Sequence, residues 1–348
     1  MPEAEIILNL FNQLRRRFPG LATDSSGEKR VYLNSGAGSL MVDNCLQAIT
    51  SSYLLNPMPG EISSAEKQTS ELQKQVRQLV ADFIGASGPE EISFHFSTTN
   101  ALFNLAFSLR SLFKTGKNCL VTDLDHFANI SPWETVASAQ GAEIRRVRLN
   151  QDLILDRVDL LKKLDENTVV VALAGASNVL GTILPLTDLI SEIKSKSGAL
   201  VVVDAVHLAP HSAIDIREMG CDFLAFSGYK IFGPMIGVLF SRHEVMDKVS
   251  PYRVETNKNS PPFFWEQGML PNLNLAGLKG ALEYLLEIGR SPGLKGNSAP
   301  NRKIFRLAME AIKKYEQNLS LYFLERLKKI NSPRVKLYGI DNPAQTIF

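Results

Sequence analysis

The stretch ALVVVDAVHLAPHSAIDIREMGCDFLAFSGYKIFGPMIGVLF, residues 199–240, decides how this chain is read. Leu200-Val201-Val202-Val203 is a β-branched, almost unbroken apolar run, which suits a strand covered on both faces within a parallel sheet. It stops at a charge, Asp204. A second run over residues 223–226 ends in Ser227-Gly228-Tyr229-Lys230, and Gly233-Pro234 breaks the chain before a third run over residues 236–240. The carboxyl ends of parallel strands are where α/β proteins hold ligands. Either residue alone would read as an ordinary strand-end ion-pairing group. Together, an acid and a lysine at neighbouring strand ends ask for a ligand that uses both.

Outward from that stretch, bulk composition narrows the class. At 348 residues the chain is long for one domain, so a larger and a smaller domain are expected. Lys and Arg number 38 against 36 Asp and Glu, a net +2, with no basic excess asking for nucleic acid or an anionic membrane. The three cysteines, Cys45, Cys119 and Cys221, are scattered without metal-ligand spacing and are an odd count for a disulfide framework. No run approaches the ~18 apolar residues of a membrane span. In residues 1–18 acids precede the apolar part and basic residues follow it, the reverse of a signal peptide. A cytoplasmic protein without metal, nucleic-acid or membrane partners is expected.

In order, an amphipathic helix is expected over residues 4–18, with Ile7, Leu10, Phe11 and Leu14 on one side. A strand-like opening at 30–33 leads into the turn Asn34-Ser35-Gly36-Ala37-Gly38, then a helix at 41–54 and a loop at 56–60. Leu72, Val76, Leu79, Val80 and Phe83 share one face of a helix over 65–84 that ends at Gly85. Strands follow at 91–96, 119–122, 142–149 and 168–174. Ser97-Thr98-Thr99-Asn100 opens a helix, where small hydroxyl residues serve either as caps or as a phosphate grip. A helix at 186–197 precedes the opening stretch. After it come a polar loop at 252–262, a helix at 275–288, a Gly/Pro/Ser-rich linker at 290–301, one long helix and a strand at 334–338.

One cofactor needs a lysine amine for a Schiff base and a carboxylate to keep its ring nitrogen protonated: pyridoxal 5′-phosphate, PLP. The chain resembles the fold-type I PLP enzymes, in particular the class V aminotransferase branch that holds the cysteine desulfurases. DAVHLAPH from Asp204 and SGYK with Phe232-Gly233-Pro234 carry the likeness, and the first is closest to the cysteine desulfurase-like proteins. DHFANISPW from Asp125 to Trp133 and the turn Ser177-Asn178-Val179-Leu180-Gly181-Thr182 match two further motifs, and Thr98-Thr99 stands where that family carries its phosphate loop. The likeness covers roughly residues 30–290.

The resemblance implies a three-layer α/β/α domain around a mostly parallel sheet plus a smaller α/β domain. Residues 1–30 would form an arm, 31–274 the PLP-binding domain, and 275–348 a connecting helix and a small domain that looks C-terminally incomplete. It implies that Lys230 binds PLP and, once an external aldimine with an amino acid has formed, removes the α-proton. Asp204 would pair with the ring nitrogen, His126 stack on the ring, Asn178 and His207 approach the ring oxygen, and Thr98, Thr99 and Ser227 hold the phosphate. The protein would be a homodimeric transferase or lyase acting on a small-molecule amino acid substrate. Aminotransferase, β-lyase and epimerase chemistry share these first steps. A non-catalytic binding partner of the same fold is the other reading, against which the intact Lys230 and Asp204 stand. Three departures matter: Tyr229 replaces the usual histidine before the lysine, Met269 replaces a phosphate-binding threonine, and no cysteine is placed as a desulfurase thiol. The arginine that would bind the substrate carboxylate stays unassigned.

Overall fold

The alternation within β5 (Leu200–Asp204) sets the layers: Val201 and Val203 face one apolar core, Leu200 and Val202 the other. Every residue of β5 is buried, so the unbroken apolar run answers to two covered faces. Full burial of each valine stabilises by about 1.5–3 kcal/mol. β6 (Phe223–Ser227) repeats the pattern, with Leu224 and Phe226 on one side and Phe223 and Ala225 on the other.

In the computed structural model, residues 3–53, 58–256, 258–292, 294, 296, 298–330 and 334–347 are described. Leu54, Asn56, Phe348 and the side chain of Ile7 lie outside the description. The remaining strands are β1 (Ile92–His95), β2 (Asn118–Thr122), β3 (Glu143–Val147), β4 (Thr168–Ala174) and β7 (Gly237–Ser241). They form one seven-stranded sheet in the order β1-β7-β6-β5-β4-β2-β3. Strands β3, β2, β4, β5 and β6 run parallel, and β7 pairs antiparallel with β6 and β1.

The helices are α1 (Glu3–Leu14), α2 (Asp43–Ser52), α3 (Ser64–Ile84), α4 (Thr98–Ser108), α5 (Ser131–Gln140), α6 (Arg157–Lys163), α7 (Leu186–Lys196), α8 (Ile216–Met219), α9 (Asn272–Arg290) and α10 (Asn301–Lys329). α4 and α5 cover one face of the sheet, while α2, α3, α7, α9 and α10 build the core on the other. A capping box of Ser63 and Glu66 starts α3, and Gly85, at φ 75°, ends it. Leu10, Phe11 and Leu14 of α1 pack on the core, Phe11 stacking on Tyr315.

Two expected strands are absent. Residues 30–33 are irregular, with Val31 and Leu33 exposed and Tyr32 tied to its own loop through Oη and the Gly38 carbonyl, 2.6 Å. Residues 334–338 are also irregular, with Val335, Leu337 and Tyr338 exposed; among the described residues no strand lies alongside to take their backbone hydrogen bonds. Near the C-terminus, a single antiparallel bridge joins Thr346 to Thr182. No described helix is long and apolar enough to cross a membrane.

Candidate active site

The chain reverses its direction of sheet growth between β2 and β4: from β2 it steps outward to β3, then returns past β2 to β4, β5 and β6. A crevice at the carboxyl ends of such strands is the natural ligand site. A cavity of about 270 Å³ opens there, lined by residues that follow β1, β2, β4, β5 and β6. All eight residues singled out from the sequence reach its wall: Thr98, Thr99, His126, Asn178, Asp204, His207, Ser227 and Lys230.

Lys230 sits in a 3₁₀ turn, Gly228–Lys230, that directly follows β6. The turn closes through Gly228, where a Cβ would lie 2.7 Å from the Pro234 carbonyl, so only glycine fits. The Lys230 amine is buried and donates to the Gly36 carbonyl at 2.5 Å; His207 Nε2 lies 3.1 Å away. Burial pulls the Lys230 pKa below its ordinary value, opposed by the Asp204 charge, which enriches the neutral, nucleophilic amine. Burial, with the charge of Lys230, lowers His207 to about 4, so its imidazole is neutral.

Asp204 pairs in register with Ala174 of β4 and Ala225 of β6, which places its carboxylate at the cavity floor. Its Oδ1 accepts from the Val206 amide at 2.9 Å, and among the described residues it forms no ion pair. Burial raises its pKa, against the pull of that amide and of His126 and Lys230. A buried carboxylate turned toward a cavity favours a cationic guest.

His126 caps the turn after β2: the Ala128 amide donates to Nδ1 at 3.1 Å, which leaves the proton on Nε2. Asn178 lies in the turn after β4, held by Ser177 Oγ, which accepts from the Val179 and Leu180 amides at 3.3 and 3.2 Å. At the far end, Thr98 Oγ1 and Ser227 Oγ meet at 2.6 Å beside the N-terminus of α4, where Ser97 caps the Asn100 amide. Free first-turn amides and hydroxyls are the donor set an anion asks for. The donor set as a whole fits PLP: hydroxyls for its phosphate, a carboxylate for its ring nitrogen and a lysine for its aldehyde.

Three residue groups that the sequence reading named gain roles here that it did not assign. Gly36 and Ala37 form part of the cavity wall, and Gly36 supplies the carbonyl that holds Lys230. Tyr229 also lines it, its ring 5.3 Å from the Lys230 amine and packed against Gly38. Asp125 is buried beneath His126 and bonded to Thr122 and Asn129; a strand-end Asp followed four residues later by Asn was the available signal. Met269 is absent from the wall, and no arginine lines it among the described residues. Glu266, in the same motif as Met269, is structural: it pairs bidentately with Arg77 at 2.6 and 2.7 Å and accepts the Phe94 amide.

A model of the aminotransferase class-V family matches residues 31–347. A cysteine desulfurase of Pectobacterium carotovorum is 32% identical over 343 residues, covering 94% of this chain and 79% of the relative. The apo structure of a cysteine desulfurase from Thermococcus onnurineus NA1 superposes with a TM-score of 0.81 at 26% identity, covering 97% of this chain and 80% of that one. An Escherichia coli cysteine desulfurase gives a TM-score of 0.78 at 25% identity, covering 95% and 80%.

Proposed function

Since this chain belongs to the aminotransferase class-V family, as a PLP-dependent enzyme of cysteine desulfurase-like type, we propose that it removes the α-proton of an amino acid with Lys230 as the base. When bound, the cofactor supplies an electron sink for the negative charge left at the α-carbon. Lys230 would hold the cofactor through its buried amine and is the group placed to take the proton from a substrate in the cavity. Asp204 would hold the ring nitrogen protonated by charge, and His126 would lie against the ring. Asn178 and the neutral His207 would approach the ring oxygen, while Thr98, Thr99, Ser227 and the start of α4 would take the phosphate. The observation that carries this reading is the pair itself: Asp204 and Lys230 leave adjacent strands and open into one cavity.

The substrate we favour is L-cysteine or a relative with a leaving group on its β-carbon, as the cysteine desulfurase relatives act on cysteine. None of the chain's own cysteines is suited to take sulfur from it. Cys45, Cys119 and Cys221 are buried and absent from the cavity wall, and burial pushes their thiols up, Cys45 and Cys221 to about 12. Sulfur from such a substrate would therefore leave to an acceptor outside these three residues. The division into arm, PLP-binding domain and C-terminal part at residues 30 and 274 belongs to the same reading, as does a reducing, cytoplasmic setting. So does a homodimer: Phe96, Phe127, Val179 and Met235, all exposed, follow β1, β2 and β4 or precede β7, which leaves apolar side chains at the sheet end that carries the site for a second copy.

The test is α-proton exchange of L-alanine and L-cysteine in deuterated water, followed by NMR with PLP-loaded protein. Exchange by the wild type and its loss in Lys230→Ala are expected. A PLP-loaded wild type that exchanges neither would leave the non-catalytic binding partner as the better reading.

A further inference from the structure

We propose that Asp125 is a positioning residue that fixes the plane and tautomer of the His126 imidazole by joining the two flanks of its turn. His126 is exposed to the cavity side, so core packing does not set its rotamer. Its neighbours are the reverse: Thr122, Asp125 and Asn129 are all buried. On the strand side, Thr122 Oγ1 accepts from the Leu124 amide at 3.2 Å and donates to Asp125 Oδ2 at 2.5 Å. On the helix side, Asn129 Nδ2 donates to Asp125 Oδ1 at 2.7 Å, and the Asn129 amide donates to the His126 carbonyl at 2.8 Å. One carboxylate thus spans from the end of β2 to the 3₁₀ turn Phe127–Asn129 that precedes α5, with His126 between.

The direction of each bond is dictated by chemistry. Once ionised, Asp125 has no proton to give, so the Thr122 hydroxyl, which already accepts from Leu124, donates its own to Oδ2. The Asn129 carboxamide turns its Nδ2 to Asp125 and leaves its own Oδ1 buried without a hydrogen-bond partner. An Asn amide normally turns to satisfy its oxygen, since a lone buried acceptor costs about 1–3 kcal/mol. Here the acceptor oxygens of Asp125 outweigh that cost and hold the amide in this orientation. With the turn held, the Ala128 amide meets Nδ1 of His126, and the remaining proton sits on Nε2.

Asp125→Asn keeps the shape and replaces one of the two acceptors by a donor, which faces the Thr122 hydroxyl or the Asn129 amide. The turn then loses one arm, and the His126 ring is free to sample a second orientation. This rests on the reading that His126 lies against the cofactor ring, so the experiment has two independent readouts. The first uses cofactor-free protein labelled with ¹⁵N-histidine, assigned through His126→Gln and recorded at pH ~8, above the range in which a buried carboxyl such as Asp125 titrates. Wild type is expected to show His126 as a single Nε2–H tautomer. Asp125→Asn and Thr122→Val are expected to show averaged ring-nitrogen shifts. The second is the induced circular dichroism of bound PLP, expected to weaken in both variants and in His126→Ala, with α-proton exchange slowed roughly tenfold.

His126 shifts that are unchanged in both variants would overturn the positioning role, whatever the dichroism shows. A His126→Ala variant with unaltered dichroism would instead overturn the contact between His126 and the cofactor, leaving the NMR result to judge Asp125. If Asp125→Asn does not fold, Thr122→Val and Asn129→Ala remove one arm each and are read in the same way.

Discussion

A single methyl group added at Gly237 is expected to weaken cofactor binding more than it weakens the fold. Gly237 opens β7 directly beneath the turn from β1 into α4. A Cβ there would lie 2.6 Å from the Thr98 nitrogen and closer still to the Ser97 carbonyl. Gly237 is paired to His95 on one side and Ser227 on the other, so the strand cannot yield and the Ser97-Thr98 peptide must retreat by about 1 Å. Overpacking of this kind costs about 1–3 kcal/mol of stability. The same retreat breaks the 2.6 Å contact between the Thr98 and Ser227 hydroxyls and turns the first amides of α4 away from an anion. Losing one charge-assisted hydrogen bond to phosphate costs about 1.5–3 kcal/mol, roughly a 10- to 100-fold rise in the Kd for PLP. The assay is fluorescence titration of cofactor-free Gly237→Ala with PLP, beside a thermal melt. A Kd within about twofold of wild type in a folded variant would refute the placement of the phosphate at the start of α4.

Other substitutions probe the rest of the site. Asp204→Asn should still bind PLP but slow α-proton exchange by orders of magnitude; exchange within about threefold of wild type, below the ~1.4 kcal/mol of a tenfold change, would rule out the electron-sink role. Burial raises the Asp125 carboxyl to about 7, well above its ~3.9 when unfolded. The folded state therefore binds the extra proton, and its stability falls as pH rises from ~4 to ~7. Urea melts of cofactor-free protein should show that slope and its flattening in Asp125→Asn; an unchanged slope would remove Asp125 as its source. Incubation with L-cysteine, PLP and dithiothreitol should leave no persulfide on Cys45, Cys119 or Cys221 by mass spectrometry, and a persulfide formed there at catalytic rates would contradict the burial argument.

What could be read from the chain follows from where its signals are local. The buried strand at 200–204 was legible because two covered faces demand an unbroken apolar run, and the end of α3 because Gly85 follows its last apolar positions. Asp204 and Lys230 stood out at neighbouring strand ends, whereas Thr98, His126 and Asn178, also beside strand ends, were singled out by the family resemblance and not by the strands alone. The misread strands at 30–33 and 334–338 show the limit: apolar β-formers make a strand only where a neighbour receives their backbone groups, and that neighbour is set by tertiary structure. The Gly36 carbonyl was invisible for the same reason. Its contact with Lys230 joins residues nearly two hundred positions apart, through a backbone atom that no side-chain pattern marks.

The most direct test is borohydride reduction of the PLP-loaded protein followed by peptide mass mapping. A pyridoxyl group on the peptide carrying Lys230, and its disappearance in Lys230→Ala, is the expected result. A pyridoxyl group on any other lysine, or a protein that takes up no cofactor, would contradict the assignment of Lys230 and with it the catalytic reading of the cavity.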